Sequence, residues 1–518
     1  MRLAGYVLAS RSSGGQMQTE FDHIVVGGGS AGCATVARLA EQPGAQVCVI
    51  EAGPSDRDIR VKVPFGLVNL MRSNTRNWKR QTVPMETAGG RSVSVPRGKM
   101  LGGSGSINSM VWFRGTRGDF DAWDLPGWDS DTVWSAFNDV EARMSPARLP
   151  HPHPLSEVFG AVFAANDPNA PPTPERQSAG VFHCNMRNGA RWSAADGFLR
   201  PSHAMTLTGA EVDRVSFDGT RATGVTLRDG RQIIARAGVV LSAGSIESPM
   251  ILMRSGIGPA DDLRAAGIDV RLDAPGVGAN LHDHPGFGLH FAGTGSGYGL
   301  TLAQLPLWAL SPFQWLLTRS GRLSSNTVEA GAFYSVTDSE TPEIQTHFLP
   351  FMMGWKGRAI VWGAGYFADV CLCQPRSRGR LRIGKDRFTP LIDLNLFGDA
   401  RDLDMMVAGV ARLRALLAQA DFGTRRAPEA FPGPDVTGDD LRETIRMRAG
   451  TAYHPVGTVA LGGPLDAQGA LKGVQNLWVA DASVMPRITS ANTNAPSMMI
   501  GWQIGGFVAA AAAERLAA

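Results

Sequence analysis

Cysteine is scarce in this chain: five among 518 residues (Cys33, Cys48, Cys184, Cys371 and Cys373), an odd number without the paired spacing of a structural metal site. Cys371 and Cys373 would share a face if they sit on one strand, and they are too close along the chain for an unstrained disulfide. Packing is the reading that remains, and a reducing cytoplasm is the expected compartment. No apolar run is long enough to span a bilayer. Lys and Arg number 50 against 47 Asp and Glu, and the net charge of +3 comes from scattered residues, which excludes a nucleic-acid footprint. Internal repeats are absent, as is low complexity outside the alanine-rich Val508–Ala518, which reads as a surface-docked terminal helix. Arg2 followed by LAGYVLA imitates a signal peptide, but the apolar run is minimal and Arg11 follows closely, so Met17 is the expected start. A chain of this length exceeds what one core serves, and two domains are expected.

What is present centres on Phe21–Gly53, which parses as strand, glycine turn, helix and strand. His23–Val26 is a short apolar run ending at Gly27. Gly27, Gly29 and Gly32 stand in G-x-G-x-x-G register: the first allows the turn, the second lets backbone approach a pyrophosphate, and the third lets helix pack on strand. Glu51 ends the second strand nineteen positions past Gly32, where a carboxylate can take both hydroxyls of an adenosine ribose. Dinucleotide binding follows, without a choice between FAD and NAD.

Within Val95–Trp123, the eighteen positions from Gly98 to Gly115 carry five glycines (Gly98, Gly102, Gly103, Gly105, Gly115) interleaved with Met100, Leu101, Ile107, Met110, Val111 and Trp112. That mixture suits buried backbone lying against a flat ligand. Pro146–Pro174, with HPHP at 151–154, reads as a connecting loop. Val212–Val240 alternates like short antiparallel strands with a turn at Asp218-Gly219. Val239–Leu241 reads as a buried strand entering Ser242–Pro259, a second nest of backbone donors at a helix start. His282 and His284 lie in PGVGANLHDHP and read as loop structure, since no third ligand has convincing spacing. Thr346–Phe351, Phe367–Leu372 and Leu381–Ile383 read as strands of an antiparallel sheet in the second domain, and Asp402–Leu417 as a helix.

Four blocks carry a resemblance to a known family: VVGGGSAG…IEAG, GKMLGGSGSINSMVWFRGTRGDFD, GSIESPMILMRSGIG and YHPVGT…VADASVMP…NTNAPSMMIG. The chain resembles the glucose–methanol–choline oxidoreductases, which are FAD-dependent. The resemblance implies an α/β fold: a Rossmann-like FAD domain, discontinuous in sequence, plus a substrate domain with an antiparallel β-sheet and helices. It divides the chain into an extension (1–19), the FAD domain (20–144, 200–289 and 445–518) and the substrate domain (145–199 and 290–444). It places the pyrophosphate at Gly27, Gly29, Ser30, Ala31 and Gly32, and the ribose at Glu51-Ala52. The isoalloxazine would run along Gly102, Gly103, Ser106 and Asn108, with the adenine at the Val212 main chain, the phosphate side at Asp481-Ala482, and the pyrimidine edge at Asn494 and Pro496. Some members tether FAD through a histidine in the Gly102–Asn108 loop; here that position is Ile107, so the FAD is expected to be non-covalent.

The resemblance assigns the catalytic pair to His454 and Asn492. An imidazole suits the removal of an alcohol proton, and an amide can donate to the developing alkoxide while hydride goes to the flavin. The implied activity is oxidation of a primary alcohol to the aldehyde, with oxygen or a quinone as electron acceptor and no metal. Glu329 matches a glutamate that faces the substrate cation in choline-type members, with a structural role equally open. Trp112, Phe113, Tyr453 and Trp502 read as core before pocket. Two alternatives share the fold. A light-driven fatty-acid decarboxylase is suggested by Cys373, but that branch carries an asparagine where this chain has Gly457. A redox-inactive flavoprotein is opposed by intact His454 and Asn492.

Overall fold

A computed structural model describes residues 18–163, 172–293, 295–352, 355–356, 359–360 and 363–517. The expected start at Met17 and most of the 1–19 extension lie outside the described residues.

Two sheets organise the chain. The first contains β1 (Glu20–Val26), β2 (Val47–Glu51), β3 (Met205–Thr208), β4 (Val212–Asp218), β5 (Arg221–Leu227) and β6 (Gln232–Leu241). Its parallel core runs β3-β2-β1-β6 and continues to the strand Leu477–Val479, beside the last residues of β6. Ile24, Val25, Val49, Val239, Val240 and Leu241 are wholly buried, as β-branched and leucine runs covered on both faces should be. β4, β5 and the start of β6 form an antiparallel meander turning at Asp218-Gly219, as the alternation indicates. Helix α1 (Ser30–Leu39) follows the glycine turn, and α2 (Gly244–Arg254) follows β6. The C-terminal helix Asn494–Ala517 lies against α1. A Cβ at Gly501 would sit 2.2 Å from the Ala31 carbonyl oxygen, so this crossing requires glycine. The alanine-rich terminus is the outer part of that helix, with Val508 buried.

The second sheet is antiparallel and contains β7 (Pro285–Ala292), β8 (Ala330–Tyr334), β9 (Ile344–Leu349) and β10 (Gly363–Leu372). Its order is Glu429–Phe431, β7, β10, β9, β8, Ser178–Val181. The boundary read between 289 and 290 falls inside β7, and Gly450-Thr451 pairs with Pro285-Gly286 in this sheet. Three strand readings are corrected. β9 starts at Ile344 and stops at Leu349, leaving Phe351 outside it. Arg380–Ile383 pairs locally with Pro390–Asp393 in a separate ribbon, because the hairpin satisfies its backbone without the large sheet. Cys373 lies one residue past β10, so it does not share a strand with Cys371; both are free and buried. The proline-rich connection contains a helix, Pro154–Gly160, started by Pro154 and capped by the His153 ring, which accepts from Leu155 N–H at 3.1 Å. Residues 164–171 of that connection lie outside the described residues. The Asp402–Leu417 reading is a helix from Ala400 to Gln419, capped by Asp399.

Candidate active site

A cavity of about 650 Å³ is lined by both sheets. From the first come Gly27, Gly29, Ser30, Ala31, Glu51, Ala52 and Val212, with Ser242–Ser245 at the start of α2. Asp481, Ala482 and Asn494 complete that side, and Gly103, Ile107 and Asn108 form a floor. Gly32, Gly102, Ser106 and Pro496 do not line it. Gly32 packs helix on strand, since a Cβ there would stand 1.9 Å from the Gly27 carbonyl oxygen. Ser106 Oγ donates to the Leu101 carbonyl (2.8 Å), Gly102 is left-handed at φ 80°, and Pro496 is buried in the first turn of the C-terminal helix.

Three features test whether this wall fits a dinucleotide. A Cβ on Gly29 would meet nothing nearer than 4.0 Å, and one on Gly244 nothing within 4 Å, so at two helix starts the missing side chain faces open cavity. Asn494 accepts from Ser30 Oγ (2.7 Å) but leaves its buried Nδ2 donors without a partner. Glu51 is held by two backbone donors, Gly28 N–H on Oε2 (3.0 Å) and Gly53 N–H on Oε1 (2.8 Å), and burial pushes its pKa up to about 7 despite them. Asp481 similarly accepts from Gly244 N–H (2.8 Å), Ser248 Oγ (2.5 Å) and Ser483 N–H (2.8 Å), which fixes the start of α2. Open glycines, an orphaned donor and a pinned carboxylate fit FAD. Ile107 lines the cavity, and the Gly102–Asn108 loop has no histidine to tether it.

At the second sheet the cavity meets a chain of polar groups. His284 presents Nε2 to the Thr489 carbonyl at 3.0 Å, so Nε2 carries hydrogen and Nδ1 is the free lone pair. That Nδ1 lies 3.1 Å from Nδ1 of His454, which must therefore donate. The proton of neutral His454 is thereby placed on Nδ1, leaving Nε2 unprotonated, 3.2 Å from the amide nitrogen of Asn492. Burial, reinforced by His284, His347 and Arg97, holds the His454 pKa well below the usual histidine range. The residue is anchored through its backbone N–H, which donates to Asp283 Oδ1 at 2.9 Å. Asn492 is oriented by Gln345, whose Nε2 donates to Oδ1 at 2.8 Å. Its amide also reaches Nε2 of His347 at 3.2 Å, and His347 Nδ1 lies 3.1 Å from both Asp369 oxygens. Cys371 Sγ stands 3.5 Å from Asp369 Oδ2.

The structure thus brings His454 and Asn492 together and adds five residues that motif reading did not single out for chemistry. Their signal was faint: Asp369 is the single charged residue of β10, Gln345, Thr346 and His347 stand together in β9, and Gln345, His347, Asp369 and Cys371 converge only through the pairing of β9 with β10. His284 sits in a loop, as read, but its ring belongs to the site. His282 is structural, accepting from Ile488 N–H at 3.0 Å. Glu329 does not line the cavity; its carboxylate is consumed by Ser325 Oγ (2.5 Å), His153 N–H (2.6 Å) and Ser156 Oγ (2.8 Å). Of the four aromatic residues, Tyr453 lines the cavity, while Trp112 and Phe113 are core. Trp502 is sandwiched between Arg38 (4.9 Å) and Arg143 (4.7 Å), away from the cavity. Cys373 is buried in a separate cluster with Phe182 and Phe333. Gly457 has φ 91°, and a Cβ there would meet the Asn280 carbonyl at 2.4 Å, so asparagine would be strained at this position.

Known proteins resemble the chain over most of its length. The chain is 34% identical to the alcohol dehydrogenase (acceptor) of Pseudomonas putida over 522 residues, covering 93% of this chain and 94% of the relative. It is 35% identical to an oxygen-dependent choline dehydrogenase of Brucella canis over 523 residues, again 93% and 94%. Among solved structures, pyridoxine 4-oxidase from Mesorbium loti superposes with a TM-score of 0.79 at 27% identity, over 94% of this chain and 98% of that one. Residues 21–286 and 375–501 match the N- and C-terminal patterns of GMC oxidoreductases. On that span of sequence, and with a cavity wall that fits FAD, the chain belongs to the GMC oxidoreductase family and is an FAD-dependent oxidoreductase.

Proposed function

We propose that the protein oxidises a primary alcohol to the aldehyde, with His454 as the base. The observation that carries this is the pair of contacts His454 makes in the cavity, Nδ1 to His284 at 3.1 Å and Nε2 to the Asn492 amide at 3.2 Å, which assigns its proton to Nδ1 and leaves Nε2 as the base. An alcohol whose oxygen displaces the direct contact between them gives its hydroxyl proton to His454 Nε2, while an Asn492 amide hydrogen holds the oxygen as negative charge develops. Gln345 keeps the amide nitrogen facing that oxygen. Phe287, Leu349, Phe351 and Phe367 line the same cavity and exclude water from the reacting carbon. Bound FAD supplies the hydride acceptor.

Glu329, matched by resemblance to a choline-type glutamate, is enclosed by its own donors and does not line the cavity, and a neutral alcohol is the substrate class proposed. The relatives, an alcohol dehydrogenase and a choline dehydrogenase, agree with alcohol oxidation as the reaction. Reoxidation uses oxygen or a quinone, distinguished by screening alcohols once for peroxide and once with an acceptor dye. The mechanism is tested by anaerobic stopped-flow reduction of the flavin with the best alcohol. His454→Ala is expected to slow reduction by a factor on the order of 10² to 10⁴ with FAD retained, and Asn492→Ala by less. Near-parental reduction by His454→Ala would remove this histidine from the reaction.

A further inference from the structure

The helix Leu305–Thr318, LPLWALSPFQWLLT, contains no charged residue, yet it stands on the surface. Of eleven exposed large apolar side chains among the described residues, seven lie between Leu302 and Leu317. Leu302 and Leu317 are each 84% exposed, Phe313 65% and Leu310 61%. Only Ser311 and Trp315 are buried within the helix, the Trp315 indole donating to the Gly189 carbonyl at 2.8 Å. At about 100° per residue, the exposed apolar positions sweep an arc of roughly 200°. Such concentration on one element far exceeds the single scattered apolar residues of an ordinary surface.

We infer that this helix docks on an anionic phospholipid bilayer, lying in the headgroup–acyl interface. Shape favours lipid over a protein partner: a convex ridge apolar over so wide an arc needs a deep groove from a rigid partner, whereas a fluid interface closes around it. Length sets the mode, since a 14-residue helix rises only about 21 Å against a hydrocarbon core of about 30 Å. Charge sets the lipid. Between Asp283 and Glu329 the chain has no acidic residue, while Arg319 and Arg322 follow the helix. Arg319 lies over the Trp315 ring at 4.0 Å, and Arg322 over Trp308 at 5.1 Å, donating to Gln304 rather than to a carboxylate. The helix also borders the cavity: Trp308 packs on Phe65 (5.1 Å), Phe65 on Phe351 (6.0 Å), and Phe351 lines the cavity. A docked protein would therefore have its cavity close to the lipid phase, where apolar alcohols partition.

The test is co-sedimentation of the purified, FAD-loaded full chain with phosphatidylcholine vesicles, and with vesicles of phosphatidylcholine mixed with phosphatidylglycerol. Parent protein is expected to bind the anionic vesicles more tightly. Combined Leu310→Glu, Phe313→Glu and Leu317→Glu should weaken that binding by about tenfold or more, with flavin content and oxidation of a small soluble alcohol unchanged. Arg319→Gln should reduce the preference for anionic vesicles and leave the apolar contact. Absence of sedimentation with both vesicle types overturns the proposal. So does concentration-dependent self-association that the three glutamates abolish, which would assign the ridge to a second copy of the chain.

Discussion

His284 and His454 meet nitrogen to nitrogen, Nδ1 to Nδ1 at 3.1 Å, with their rings nearly perpendicular at 82°. The Thr489 carbonyl fixes one end of this relay and the lone pair of His454 Nε2 is the other. Replacing His284 with alanine removes the acceptor that holds the His454 proton on Nδ1. Flavin reduction is then expected to slow on the order of 10- to 100-fold while FAD stays bound, because both tautomers of His454 become populated. The pH profile provides a second readout. A histidine whose pKa is depressed stays unprotonated until the pH falls through that lowered value, so parental reduction should remain level as pH drops through 6.5, the ordinary histidine pKa. A loss of rate centred at 6.5 in the parent enzyme would contradict the buried, neutral base.

Gly29 and Gly27 separate cofactor binding from folding. A Cβ at Gly29 finds open cavity, whereas one at Gly27 (φ 102°) would sit 2.5 Å from the Ser242 carbonyl oxygen. Gly29→Val is expected to fold with native circular dichroism but lose most of its flavin, since the branch occupies the pyrophosphate path. Gly27→Val should fail to accumulate as folded protein. Flavin absorbance against protein concentration measures the first, and yield of soluble protein the second. Acid precipitation of the parent should release the flavin into the supernatant, because Ile107 cannot form a covalent link.

Glu329 separates a substrate contact from a structural one. Its carboxylate is fully buried, and burial raises its pKa against three hydrogen bonds. Glu329→Gln turns two acceptor oxygens into one and sets an NH₂ group against donors from Ser325, Ser156 or His153. A loss of about 1–3 kcal/mol in unfolding free energy is expected, with KM for a neutral alcohol near parental. A large rise in KM at unchanged stability would return Glu329 to the substrate.

Local spacing made the dinucleotide half legible. Gly27, Gly29, Gly32 and Glu51 lie within one β-α-β unit, so their relative positions are set by a strand, a turn and a helix whose lengths can be counted. The same holds for the meander between Val212 and Leu241. The half that holds His454 and Asn492 depends on pairings between segments far apart in the chain, which no spacing records. His284 and His454 are 170 residues apart and touch because the loop before β7 runs beside the chain around His454, with His282 and Val456 bridged. His347 faces Asp369 because β9 pairs with β10, and polar residues within one strand say nothing about which strand lies beside it. Arg380–Ile383 has the alternation of a sheet strand, but its partner lies seven residues downstream at Pro390, so the local hairpin wins over the large sheet.

His347 and Asp369 form the remaining switch in the cavity. Burial alone would lower the His347 pKa, but the Asp369 carboxylate, 3.1 Å from Nδ1, outweighs it and raises the value above 6.5. A raised pKa means that the ring holds its proton below that value and loses it as pH rises through it. The imidazolium can donate from Nε2 to Asn492 Oδ1, at 3.4 Å, which leaves the amide nitrogen to His454 and to the alcohol oxygen. It also places positive charge beside the oxygen that becomes anionic as the proton departs. Flavin reduction in the parent should therefore decline as pH rises above the raised pKa of His347. Asp369→Asn removes the charge that holds the proton, so at neutral pH reduction should slow about tenfold and the alkaline decline should vanish, since His347 is then neutral throughout that range. Stopped-flow reduction from pH 6 to 10 measures both effects, with flavin content and thermal unfolding as controls. An alkaline decline that persists in Asp369→Asn would assign it to another group and leave His347 as a neutral hydrogen-bond acceptor for Asn492.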